Sequence, residues 1–229
     1  MFAGVNIKRM TSRTYHHGDL RNALVTAAAR LAGSGGPDAV TIRAAAREVG
    51  VTPTAAYRHF TGHEALLDAA KHESLRRMHV AMRKRLDAVP EVADPVAAVV
   101  ARLDAIGHGY VDFALAEPGL FRTAFCPGGM EEKAAALSVS AEDLEELADE
   151  NPQVLLLDLI DQLVRLGFFT EEQRLGAVVS SWSVVHGLSM LLIDGPLAGA
   201  PDQDKAALVE HALGSYSRAF WNAGRSGPA

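Results

Sequence analysis

A chain of 229 residues that is 48% hydrophobic and 22% charged can fill one large core or two modest ones, which excludes a wholly disordered protein. Its single cysteine, Cys126, excludes an internal disulfide and fits a reducing compartment. The net charge of -6 is unevenly spread: residues 1–88 hold 14 Lys+Arg against 7 Asp+Glu, a net of +7, and the rest of the chain carries -13. A basic head on an acidic body points to a polyanionic partner for the head, although a solvated surface gives the same excess. No uninterrupted apolar run approaches the ~20 residues of a bilayer span. The start, "MFAGVNIKRMTSRT", lacks the apolar core of a signal peptide. A cytoplasmic protein with no membrane partner is expected.

The predicted elements are all helical, about nine in number. Residues 1–14 read as a flexible arm bearing Lys8, Arg9 and Arg13. The first helix follows from the spacing of Leu20, Leu24, Ala27, Ala28 and Leu31, and Gly33, Gly35 and Gly36 are expected to end it. Thr41 caps a second helix with Ile42, Ala45, Ala46 and Val49 on one face, closed by Gly50. Thr52 caps a third, only about two turns long, with Pro53 in its first position. Thr61 and Glu64 form a capping-box pattern for a long fourth helix, expected over 63–89 with Leu67, Lys71, Leu75, Met78, Met82 and Leu86 in one stripe.

Pro90 and Pro95 mark a break. A fifth helix is expected over 95–116, and "EPGLFRTAF" gives a short sixth. The acidic stretch from Cys126 to Pro152 reads as a loop with one short helix at most. Asn151 and Pro152 start a helix ending at Gly167, Thr170 caps another ending at Gly195, and a last one covers about 202–223. Its apolar face carries Val209, Ala212, Leu213, Tyr216 and Phe220, and the tail after Trp221 is expected to fray.

Helices two and three, joined by a glycine-containing turn, read as a helix-turn-helix, whose second helix enters a DNA major groove. At about 100° per residue, Ala56 and Phe60 form the inward face of that helix and Thr54 and Arg58 point directly away. Arg58 could read guanine bidentately and Thr54 could touch a thymine methyl or a phosphate. Tyr57 and Ala55 lie on the flanks, and Arg43 could join Tyr57 on phosphates. An exposed arginine on a short helix is also an ordinary solvated residue, so these positions alone leave both readings open.

The stretch "TIRAAAREVGVTPTAAYRHFTGHEALL" resembles the N-terminal domain of the TetR family of bacterial repressors. The preceding "YHHGDLRNALVTAAARLA" is similar to the first helix of a branch with a late Trp-His-Gly signature, met here by Trp182, His186 and Gly187. The resemblance covers roughly residues 15–70 and 180–197. It implies a homodimer that binds double-stranded operator DNA. A DNA-binding head would span 15–62, and a regulatory and dimerisation body 63–229. The last two long helices would pair between subunits. It implies DNA contacts at Thr41, Arg43, Thr52, Pro53, Thr54, Tyr57, Arg58 and His59. Two positions depart from the family pattern: Thr61 and His63 stand where lysine is frequent, so the usual phosphate grip at position 63 is weakened or made pH-dependent.

Catalytic patterns are missing. The chain has no His-Glu-x-x-His site, phosphate-binding glycine loop or nucleophile elbow, so no enzyme, cofactor or metal is expected. An effector pocket is implied by the resemblance. Tyr110, Phe113, Phe121, Phe125, Trp182, His186 and Met190, with Met130 and Phe168, are its candidate lining, and each also suits an ordinary core. The leading reading is a dimeric repressor released by a small molecule; the alternatives are an activator or effector-independent regulator and, against the missing catalytic patterns, a helical enzyme or carrier whose head only resembles a DNA reader.

Overall fold

The computed structural model describes residues 17–127 and 151–225, and among these the regular structure is helical. The expected arm and the acidic stretch with Met130 lie outside the described residues. Nine α-helices are described: α1 (His17–Gly35), α2 (Ile42–Val49), α3 (Pro53–Ala56), α4 (His63–Leu86), α5 (Pro95–Ala116), α6 (Pro118–Phe125), α7 (Pro152–Arg165), α8 (Glu171–Ile193) and α9 (Asp202–Arg225).

Their ends follow local chemistry. Asp94 accepts the Ala97 N–H at 2.7 Å to open α5, and Asn151 accepts that of Gln153 at 3.0 Å to open α7. Each satisfies a donor that the helix itself leaves unpaired. At α8 the Thr170 N–H donates to the Gln173 side chain at 2.9 Å. Gly167 takes φ 70 after α7, a conformation glycine adopts without a Cβ penalty.

Four details differ from the sequence expectation. Helix α1 runs through Gly33 and ends at Gly35. The N-cap of α4 is Gly62 in extended backbone, with no side-chain cap, so the Thr61–Glu64 capping box does not form; Thr61 sits one residue too early. Helix α4 ends at Leu86, after which Val89 N–H still bonds Leu86 C=O at 3.2 Å in a tighter turn. Helix α9 continues past Trp221 to Arg225, because Trp221 packs on Phe168 (5.6 Å between ring centroids) and Phe220 meets Phe169 edge-on at 5.0 Å.

Helices α4 and α5 form the central pair, and buried side chains from Leu24 in α1 to Phe220 in α9 make one continuous core. Two glycines set the tightest approaches. A Cβ on Gly109 would stand 2.6 Å from the Met82 Cα, so α5 lies directly on α4. A Cβ on Gly119 would collide with the carbonyl oxygens of Ala32 and Gly33, so α6 lies directly on the end of α1. Helix α8 is long and apolar enough to cross a bilayer by length and composition, with a mean hydropathy of 1.6 over its richest stretch. Interspersed Ser, Gly and His residues hide this from a search for uninterrupted apolar runs. In the fold it packs on α5, α7 and α9.

Gly119→Ala is expected to cost about 1–3 kcal/mol, the usual range for overpacking, because the obstructing atoms are backbone. Gly107→Ala, whose Cβ would meet Val185 at an ordinary 3.5 Å, is expected to be neutral or stabilising by up to about 1 kcal/mol. Urea denaturation of the two variants checks the contrast.

Candidate nucleic-acid interface and the cavity behind it

The α2–turn–α3 unit is built from caps and one glycine. Thr41 Oγ1 accepts the Ala44 N–H at 3.1 Å, and Thr52 Oγ1 accepts the Ala55 N–H at 3.2 Å. Such caps contribute about 1 kcal/mol each. Gly50 turns the chain at φ 79, ψ 30, which brings Val51 N–H onto Ala46 C=O at 2.9 Å. Pro53 then opens α3, whose regular part covers four residues. Helical bonding continues beyond it, since His59 N–H bonds Ala56 C=O at 2.9 Å and Phe60 N–H bonds the same oxygen at 3.1 Å.

So short a segment is held by its inward face. Ala56 and Phe60 are buried against Ile42, Ala45 and Ala46. The Arg21 guanidinium lies 5.3 Å from the centre of the Phe60 ring, a cation–π contact from α1. Arg30 bridges Glu48 at 2.7 Å, but both are partly exposed, so the pair adds little. With Ala56 and Phe60 fixed inward, Thr54 and Arg58 are exposed on the opposite side. Thr41, Arg43, Thr52, Pro53, Tyr57 and His63 are also exposed, and Ala55 and His59 are half-buried. Among the described residues neither Arg43 nor Arg58 is drawn into an ion pair.

Behind this head, helices α4 to α9 enclose a cavity of about 120 Å³. Of the candidate lining residues, Tyr110, Phe125 and Trp182 border it. Phe113, Phe121, His186 and Met190 do not. Phe113 and Phe121 are packed into the core, Phe121 edge-on to Tyr110 at 5.6 Å. Met190 is 38% exposed and faces away. Phe168 is spent on Phe169 and Trp221.

His186 sits one layer behind the wall. The Tyr110 hydroxyl lies 2.9 Å from His186 Nδ1, and Trp182 Nε1–H donates to the Tyr110 oxygen at 3.4 Å. Burial holds the His186 imidazole below its usual range, so it is neutral at pH 7 and its Nδ1 can accept the Tyr110 proton. Burial likewise pushes the Tyr110 phenol up. His186 also stacks on Phe121 at 5.6 Å, and Arg122, next to Phe121 on α6, forks onto Asp194 just past α8. Helix α6 therefore touches α1 through Gly119, the layer behind the cavity through Phe121, and α8 through Arg122.

The sequence reading missed the polar edge of the cavity. Asp104 on α5 and Ser217 on α9 both line it, and Ser217 Oγ–H donates to Asp104 Oδ1 at 2.7 Å. His108, one turn from Asp104, stands with Nδ1 3.4 Å from Asp104 Oδ2 and Nε2 3.3 Å from Glu210 Oε1. These contacts, above all the one with Asp104, raise the His108 pKa to about 9. The i, i+4 spacing of Asp104 and His108 was visible in the sequence; Ser217, 113 residues away, was not tied to it by any local pattern.

Comparison with known proteins agrees with this architecture. Residues 24–70 match the family described as bacterial regulatory proteins, tetR family. Residues 103–216 match the tetracyclin repressor-like C-terminal domain. The chain is 26% identical over 171 residues to the uncharacterized HTH-type transcriptional regulator YobS of Bacillus subtilis, covering 74% of this chain and 76% of that one. A protein of unknown function from Rhodococcus sp. RHA1 shares 25% identity over 93% of this chain and 98% of its own, with a TM-score of 0.65. A tetR-family transcriptional regulator from Streptomyces coelicolor has the same fold, with a TM-score of 0.57 at 20% identity over 93% of this chain and 87% of its own. The two family matches, together with a helix-turn-helix ahead of an all-helical body, make this a DNA-binding transcriptional regulator. The chain belongs to the TetR family of such regulators.

The His108 pKa carries a stability consequence. It is raised above the unfolded value of 6.5, so its contribution is fully present below pH 6.5 and is lost as pH rises through 9. Urea denaturation of wild type and His108→Gln at several pH values is expected to show a gap in stability near pH 6 that closes above pH 9.

Proposed function

We propose that this regulator is a repressor that binds a palindromic operator as a homodimer and is released from it by a small-molecule effector. The observation that carries the proposal is the sorting of α3: its inner face is locked by Ala56 and Phe60, and its outer face presents Arg58 and Thr54 to solvent. Arg58 offers a planar two-donor fork for a guanine edge, and Thr54 a methyl and hydroxyl for a thymine or a phosphate. Thr41 and Thr52 already accept backbone N–H bonds, which leaves their O–H protons to donate to phosphates. Arg43, Tyr57, Pro53, Ala55 and His59 complete the surface. His63, at the exposed start of α4, stands where a permanent cation would hold phosphate more tightly. In this reading 1–14 is an arm, 15–62 the head and 63–229 the body.

The dimer is assigned to α8 and α9. Leu175 (50%), Val179 (41%) and Leu191 (45%) on α8 and Leu208 (39%) on α9 are large apolar side chains left in water. Gly176 and Gly187 on α8 have no other atoms within 4 Å of an added Cβ, which leaves that surface smooth. Two such faces related by a two-fold axis bury each other and fix the separation of the heads. The heads must meet half-sites about one helical turn or a multiple apart. An effector that favours a body with α4 displaced shifts the population toward a misspaced dimer without touching DNA. Helix α4 is suited to this because it begins at the head and packs along α5. DNA reading also places the protein in the compartment that holds the DNA, the cytoplasm.

Two experiments test this. In fluorescence anisotropy with DNA from upstream of the encoding gene, Arg58→Ala is expected to weaken specific binding by about 1–3 kcal/mol. Unchanged affinity would remove Arg58 from base reading. Leu175→Glu combined with Val179→Glu is expected to convert a dimer to a monomer in sedimentation and to abolish operator binding. A double variant that stays dimeric would move the interface elsewhere.

A further inference from the structure

The cavity's walls are more specific than its size. About 120 Å³ is comparable to an engineered apolar cavity of about 150 Å³ that holds benzene, so the space suits one ring. Five of the described lining residues are aromatic: Tyr110, Phe125, Trp182, Tyr216 and Phe220, from α5, α6, α8 and α9. The hydroxyl of Tyr216 is engaged by Ser180 and Ser181 at 3.2 and 2.9 Å, and that of Tyr110 by His186 and Trp182. Both hydroxyls are therefore already engaged, and what the two tyrosines add to the wall is mainly ring surface.

Asp104 is the one ionisable acid or base among the described lining residues, apart from these phenols. A carboxylate has about four acceptor positions. Asp104 Oδ1 takes the Ser217 proton and Oδ2 faces His108, so capacity remains for a donor arriving from the cavity. An anion would stand beside a carboxylate with no lysine, arginine or histidine in the described lining, and the like charges disfavour it.

We propose that the cavity binds a compact one-ring aromatic molecule that carries a hydrogen-bond donor and no anionic group, with its ring against Trp182 and Tyr110 and its donor on Asp104. The proposal rests on the reading of this cavity as the effector site. His108 and Ser217 share the Asp104 charge, so the donor can be a neutral hydroxyl or an ammonium.

Calorimetric titration of the full-length protein with benzyl alcohol, benzylamine, toluene and benzoate tests the idea. At least one of the two donors is expected to bind roughly tenfold or more tightly than both toluene and benzoate. Comparison of the alcohol with the amine identifies the neutral or charged form. Asp104→Ala is expected to remove the preference over toluene while ring binding persists. Gly107→Leu, which grows a side chain from the cavity wall, is expected to abolish binding of all four and needs no change at Asp104. Benzoate binding as tightly as the donors would overturn the proposal. So would toluene matching them, no binding of any probe at millimolar concentration, or full binding in a folded Gly107→Leu protein. Operator release is read separately by anisotropy. Probes that bind in the expected order without releasing DNA leave the ligand class standing and overturn the effector reading alone.

Discussion

The contact on which this structure turns is the one between Gly119 on α6 and the last turn of α1, where helix backbones meet with no side chain between them. An added methyl there would strike the carbonyl oxygens of Ala32 and Gly33. Close-packed interiors do not deform smoothly, so a contact this tight keeps or loses its register as a unit. It makes α6 part of the head's support, although the chain places α6 well inside the body. Phe121 and Arg122, the second and third residues after Gly119, then bind the same short helix to the His186 layer and to the end of α8.

Packed side chains join the cavity in the body to the head, which the cavity itself does not touch. The wall residue Tyr110 is bonded to Trp182 and His186, and His186 stacks on Phe121. A change in the packing of the wall therefore reaches α6 directly, through Phe125 in the wall and Phe121 against Tyr110, as well as through His186. From α6 it reaches α1, whose Arg21 covers Phe60 behind the reading helix. Helix α4 runs in parallel with this route and meets both α1 and α5. The long α4 and the short α6 are two supports of the same head. Both belong to a core that continues without interruption from Leu24 to Phe220.

The local build of α2 and α3, and the face of α3 left exposed, were legible in the sequence because their determinants are local. Thr41, Gly50, Thr52 and Pro53 act within four residues of where they stand, and a wheel of 3.6 residues per turn separates Ala56 and Phe60 from Thr54 and Arg58. The Thr61–Glu64 pair shows the limit of such reasoning. A capping box is a match of residue types, but the chain opens α4 at Gly62 instead.

The cavity obeyed different rules. Tyr110 and Trp182 could be named as wall candidates from their bulk, yet nothing local separates them from Phe113 and Phe121, which are also large, apolar and helical. The difference lies in which neighbours arrive from α8 and α9, and Ser217 reaches Asp104 across 113 residues. By itself the sequence determined the charge split along the chain, and it determined the all-helical plan, the caps at Thr41 and Thr52 and the face of α3 turned to solvent, because these are fixed by periodicity or by residues a turn apart. Only the tertiary structure decided that α6 underlies α1, that Met190 faces solvent and that Asp104 borders an aromatic cavity. Those facts depend on helices distant in sequence meeting at one depth and one rotation.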